Sequence, residues 1–195
     1  MGAFIVFCVF IATFADMKIG VFCSANERID PDFFEMTKEL GEWIASEDHT
    51  LVFGGTDMGL MECIAKTVHK GGAQVYGVVP TMVEQRGRVS DYNDVEIRCE
   101  NLSDRKDLML MHSDVLIALP GGIGTLDEIF TIAASHTIGY HRKKIVLYNM
   151  KGFWDKLIAL LEDLQEKGFI RGNYQDYIAV ANNLEELKKI VNENI

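Results

Sequence analysis

Three glycines, a threonine and a glutamate fall within one short stretch, Leu119-Pro-Gly-Gly-Ile-Gly-Thr-Leu-Asp-Glu128. Residues 114–119 before it read as a fully buried strand, and Glu128, Ile129, Ile132 and Ala133 after it read as a helix with one apolar face. A strand that turns into a helix through glycines lets the backbone come close to a ligand. The first N–H groups of the helix lack partners inside it and act as anion donors. Gly121, Gly122, Ile123, Gly124 and Thr125 are therefore a candidate phosphate cradle, with Thr125 adding a hydroxyl or capping the helix. Glu128 puts a carboxylate within one turn of that cradle, and the combination points to a phosphorylated small molecule. The Thr125-x-x-Glu128 spacing is also that of a capping box, in which Glu128 would do no more than satisfy the helix start.

A second glycine turn, Gly54-Gly55, follows the apolar run 50–53, and the pair Arg105-Lys106 lies inside the mixed charge run Asp104-Arg-Lys-Asp107. Such a run is most often a solvated helix face. Asp127, in the first turn after the cradle, complements the helix dipole and is within reach of ribose hydroxyls.

The elements that must hold these residues alternate. Strands are expected at 18–23, 50–53, 74–79, 95–98, 115–119, 144–148 and 177–181, and helices at 31–46, 59–70, 102–112, 125–138, 153–167 and 184–192. Asp30-Pro31 opens the first helix in the preferred cap and first-turn arrangement, and Gly71-Gly72 closes the second. The pattern predicts a single-domain, doubly wound Rossmann-like α/β fold with a parallel sheet and helices on both faces. Ligands of such sheets gather at the carboxyl ends of the strands near the switch in strand order, where both glycine turns would lie. Neither turn completes Gly-x-Gly-x-x-Gly, which argues against a nicotinamide or flavin enzyme.

The chain has 195 residues, a length for one core, and a formal net charge of -10. That charge argues against an extended nucleic-acid partner, whereas one phosphate can be held by local N–H groups and one or two cations. Cys8, Cys23, Cys63 and Cys99 form no Cys-x-x-Cys pair and sit among apolar neighbours, as buried thiols of a reduced cytoplasm do. The five histidines are dispersed, and His136 and His141 flank Gly139 without a ligand motif, so no metal and no cofactor are expected. Met109, Met111, Phe33, Phe34 and Trp43 recur at helical spacing and read as core or subunit-contact residues. Residues 3–15 are almost wholly apolar but too short to span a bilayer as a helix. The first core strand starts directly after Met17, so residues 1–16 are read as a misassigned start or dispensable extension and 17–195 as the catalytic domain. An export signal is the alternative reading.

The chain resembles the cytokinin-activating phosphoribohydrolase family, known as the lonely guy family and often labelled possible lysine decarboxylase. The family signature Pro-Gly-Gly-x-Gly-Thr-x-x-Glu stands intact from Pro120 to Glu128. Its upstream Arg-Lys pair matches Arg105-Lys106, and Val52-Phe-Gly-Gly-Thr-Asp-Met-Gly-Leu-Met61 is a third match. The resemblance implies hydrolysis of the N-glycosidic bond of an adenine or N6-modified adenine ribonucleoside 5′-monophosphate, giving free base and ribose 5-phosphate. It assigns catalysis to Arg105 and Glu128. Phosphate would lie on Gly121, Gly122, Gly124 and Thr125 with help from Lys106, and Gly54, Gly55 and Ser24 would line the nucleotide pocket. It also implies a homodimer whose long helices pack near the active sites. The departures are Thr56 and Glu62 where the family has glycines, Cys23-Ser24-Ala25-Asn26 in place of a Gly-Ser-Ser-like turn, and Ser135-His136-Thr137-Ile138-Gly139 in place of Trp-x-Gln-Leu-Gly. They bear on base preference more than on chemistry. A non-catalytic nucleotide or molybdenum-cofactor binding protein of the same superfamily would use the same cradle without turnover. A pyridoxal-phosphate decarboxylase would need a Schiff-base lysine that nothing in the sequence singles out.

Overall fold

The computed structural model describes residues 16–193. The proposed extension 1–16, apart from Asp16, and Cys8 lie outside the described residues. Seven parallel strands form one sheet: β1 (Lys18–Phe22), β2 (Thr50–Phe53), β3 (Val75–Pro80), β4 (Val95–Cys99), β5 (Val115–Ala118), β6 (Ile145–Tyr148) and β7 (Ile178–Ala181), in the order β4-β3-β2-β1-β5-β6-β7. The order reverses at β1, where Val21 is in register with Phe53 of β2 on one side and Ile117 of β5 on the other. The central strands β1, β2 and β5 are apolar and almost wholly buried, as strands covered on both faces must be.

Helices α1 (Pro31–Ser46), α2 (Gly59–Lys70) and α7 (Leu184–Glu193) cover one face, where Leu40, Ile44, Leu60, Ile64 and Leu187 join Ile19, Val21 and Phe53 in one apolar cluster. Helices α4 (Leu102–His112), α5 (Ile123–Thr137) and α6 (Asp155–Glu166) cover the other, packing Met109, Ile129, Ile132 and Leu161 on Phe22, Val52 and Leu116. The Asp30 carboxylate caps α1 by accepting from the Asp32 N–H at 3.0 Å, with Pro31 in the first turn. Gly72, in the left-handed region at φ +92°, closes α2.

All thirteen expected elements are present with ends within two residues, and three differences have physical causes. A short helix α3 (Thr81–Gln85) interrupts the β3–β4 connection; it buries no residue, so it leaves no apolar period to read. Helix α6 begins at Asp155 rather than 153: the 3-10 turn Met150–Gly152, with Lys151 at φ +54°, runs into Phe153, and Trp154 is the cap of the helix. Helix α5 begins at Ile123 rather than 125 with Gly122 as its cap, so the glycine turn already contains the first helical residues.

Gly59 starts α2 at φ +57°, and a Cβ there would lie 2.5 Å from the Ala25 carbonyl carbon and 2.7 Å from the Ser24 oxygen. Both are backbone atoms of the β1–α1 loop, and the neighbouring Leu60 N–H donates to Ser24 O at 2.9 Å. Gly59→Ala is expected to lower the unfolding free energy by about 2 kcal/mol or more, measured by urea titration.

Candidate active site

Helix α4 is started by Asn101, whose side-chain oxygen accepts from the N–H groups of Ser103 and Asp104 at 2.8 and 3.1 Å. One turn on, Arg105 points across to α5 and donates through Nη2 to Glu128 Oε1 at 2.6 Å. The pair is sequestered, with side chains 13% and 2% exposed. Glu128 therefore makes no capping box: the cap of α5 is Gly122, without a side-chain hydrogen bond, and Glu128 lies beyond the first turn. Arg105 Nε is buried with no hydrogen-bond partner among the described residues, so the guanidinium keeps a donor beside the carboxylate.

The pair opens into a cavity of about 390 Å³ across the carboxyl edge of the sheet. Cys23, Ser24 and Ala25 come from the loop after β1, Thr56 from the β2–α2 loop, Met61 from α2, Val83 from α3, and Gly122, Gly124, Thr125 and Glu128 from the start of α5. The Ser24 N–H donates to Pro120 O at 3.1 Å, which ties the two loops together at the reversal of strand order. Gly121 cannot carry a side chain, because a Cβ there would meet Thr125 Oγ1 at 2.0 Å. Thr125 is thereby folded back over the turn and buried. A larger groove of about 740 Å³ between α1 and α2 has a mixed lining, including Lys38, Lys66, Glu42 and Glu62, and contains no buried acid–cation pair; size does not make it the site.

The expected site residues divide. Arg105, Glu128, Gly122, Gly124, Thr125 and Ser24 line the cavity. Gly54 and Gly55 do not line it, and a Cβ at Gly54 would crowd Met61 Cε at 2.9 Å and the Arg105 guanidinium at 3.2 Å. Lys106 faces α5 outside the cavity and holds both Asp127 oxygens at 2.9 and 2.8 Å and Thr131 Oγ1 at 2.9 Å. Lys106 and Asp127 thus brace α4 against α5, and the Ile123 side chain is 83% exposed. Cys23, Ala25, Thr56, Met61 and Val83 line the cavity but were not singled out as binding residues. The sequence marks Thr56 and the 23–26 turn only as departures from the family pattern, and it carries no signal for Val83.

Burial raises the Glu128 carboxyl to about 7, and the charge and hydrogen bond of Arg105 pull against that rise. The same burial, with Glu128 nearby, pushes the Cys23 thiol up, so it stays protonated and neutral.

The class of protein this defines is a doubly wound α/β protein with a glycine turn opening into a helix and a buried acid–cation pair at its switch point. Residues 61–191 match the family described as possible lysine decarboxylase. The chain is 34% identical over 170 residues to the probable cytokinin riboside 5′-monophosphate phosphoribohydrolase LOG4 of Oryza sativa subsp. japonica, covering 87% of this chain and 74% of that one. It is 33% identical over 172 residues to the Arabidopsis thaliana phosphoribohydrolase LOG1, covering 88% and 81%. The chain belongs to this family. The fold is shared with the molybdenum cofactor binding protein of Rippkaea orientalis, with a TM-score of 0.70, 23% identity and coverage of 92% and 98%. It is shared as well with the molybdenum cofactor carrier protein of Chlamydomonas reinhardtii, with a TM-score of 0.71, 23% identity and coverage of 92% and 98%.

A carboxyl whose folded pKa lies above its unfolded value binds its proton more tightly in the folded state. The stability this adds is complete below the unfolded value near 4.5 and is lost as pH rises through about 7, a change of about 3 kcal/mol. Urea unfolding of wild type relative to Glu128→Gln is expected to show that decline between these pH values, and parallel profiles would contradict it.

Proposed function

We propose that this protein hydrolyses the N-glycosidic bond of an adenine or N6-modified adenine ribonucleoside 5′-monophosphate, releasing free base and ribose 5-phosphate. The observation that carries the reading is the Arg105–Glu128 pair, 2.6 Å apart on the wall of a cavity that also holds the α5 amino end. The phosphorylated ribose enters with its phosphate at the N–H groups of Gly122, Gly124 and Thr125, where the helix dipole favours a dianion. As the bond to the base stretches, positive charge grows on the ribose ring. Ionised Glu128 stabilises that charge and orients or deprotonates the attacking water. Arg105 holds Glu128 in place through its planar guanidinium and lines the cavity where phosphate or the departing base would lie.

The relatives named phosphoribohydrolases support this chemistry. The decarboxylase in the family's description does not fit: pyridoxal phosphate needs a Schiff-base lysine, no lysine lines this cavity, and Lys106 is engaged by Asp127 and Thr131. Three free cysteines among the described residues suit a reduced cytoplasm, and the net charge of -10 suits a mononucleotide better than a nucleic acid. Among the described residues no helix is long and apolar enough to cross a membrane.

With the full chain, free base is expected from AMP and N6-isopentenyl-AMP but not from adenosine, resolved by chromatography. Glu128→Gln should lower kcat/KM about 100-fold or more and remove an acid limb near pH 7. Tight nucleotide binding without base release would favour a carrier or sensor.

The active form in this reading is a homodimer. Ile123, Phe130 and Ala134 on α5 and Ile138 at its C-cap form an exposed, largely apolar stripe, with Met111 exposed on neighbouring α4. Light scattering should give twice the chain mass, and Phe130→Glu should shift it toward the monomer.

A further inference from the structure

The cavity spans the carboxyl ends of four neighbouring strands, from β5 through β1 and β2 to β3. At about 4.8 Å per strand that is roughly 14 Å from the phosphate cradle after β5 to Val83 after β3. With phosphate at one end and the catalytic pair beside the ribose, the base is directed toward Met61, Thr56 and Val83. The volume of about 390 Å³ lies near the lower end of small-ligand sites, so an added group on the base must find its room in a wall.

Most walls cannot give. Cys23, Thr56, Met61, Thr125 and Glu128 are all buried in the body of the fold. Val83 belongs to α3, and it alone of the segment 81–87 is partly buried while its neighbours are exposed. This segment arches between two anchors. Upstream, β3 ends at Pro80 in register with Cys99 of β4. Downstream, residues 88–90 are gripped by the β2–α2 loop: Thr56 Oγ1 and the Asp57 N–H both donate to Arg88 O at 3.0 Å, and the Ser90 N–H donates to Gly55 O at 3.0 Å. Arg88 pairs with Asp57 at 2.9 Å, and buried Ser90 donates to Glu62 Oε2 at 2.6 Å. Thr56 and Glu62, two positions where the chain departs from the family's glycines, are thus the residues that fasten this arch.

We infer that Val83, held by the contacts of Thr56, Asp57 and Glu62 with residues 88–90, is the residue that selects the size of the group on the exocyclic nitrogen of the base. The inference rests on the phosphoribohydrolase reading. Val83 touches only the distal base in this account, and Arg88 is a positioning residue acting through it.

The test measures kcat/KM for base release and, by calorimetry with Glu128→Gln as background, Kd for AMP and N6-isopentenyl-AMP in Val83→Ala, Val83→Phe and Arg88→Ala. Val83→Phe is expected to lower the isopentenyl-AMP to AMP ratio about tenfold or more, and Val83→Ala to raise it. Arg88→Ala, with Val83 in place, should shift the ratio the same way as Val83→Ala and by less. Equal factors on both nucleotides in every variant overturn the selection role. If wild type binds nucleotide but releases no base, the hydrolase reading falls while the Kd ratio still decides for or against Val83. If neither nucleotide binds, both fall.

Discussion

A carboxylate at 2% exposure is costly unless a cation meets it, and much of this site follows from that single constraint. Glu128 is carried into the interior by the apolar face of α5, next to Ile129 and Ile132. Arg105 must then come from a second helix, at a depth where its own charge is also nearly removed from water. Gly54 eases this, because a Cβ there would press on Met61 Cε at 2.9 Å and on the guanidinium at 3.2 Å. Asp127 and Lys106, the neighbours in sequence of the two partners, form a second bridge between the same helices at the surface. One contact is buried and the other half open to solvent, and both tie α4 to α5.

The same logic sorts what the sequence disclosed. Central strands are legible because burial on both faces demands unbroken apolar runs, as in Val115–Ala118. The glycine turn and Glu128 are legible because close approach and charge restrict residue type. Two things were not. A Thr-x-x-Glu spacing fits a capping box and a buried pair equally well, and only the position of Gly122 as cap separates them. Lys106 reads as a cation next to a cradle, but the direction of a side chain on α4 depends on how that helix is rotated against α5, which a mixed charge run does not specify. Val83 is hidden for a further reason: its helix buries nothing, so neither period nor propensity marks it.

The wall opposite the cradle is built on different principles from the catalytic wall. It relies on backbone hydrogen bonds to Gly55 and Arg88 and on two polar contacts, Arg88–Asp57 and Ser90–Glu62, rather than on apolar packing. Polar contacts of this kind can be exchanged one at a time without opening the core. In the proposed reading the cradle half takes the groups common to every nucleoside monophosphate, and the half with Val83 meets the base through a wall held by polar contacts.

Arg105 and Glu128 are only 23 residues apart, with β5 between them, whereas the contact of Ser24 with Pro120 joins the two halves of the sheet. Closing the shorter loop costs less chain entropy, so helix, strand and helix from 102 to 137 can come together as a local unit before the distant strands find their places. In folding terms, Arg105 and Glu128 belong to a stretch of chain whose contacts are local, while the rest of the cavity depends on contacts made across much longer separations.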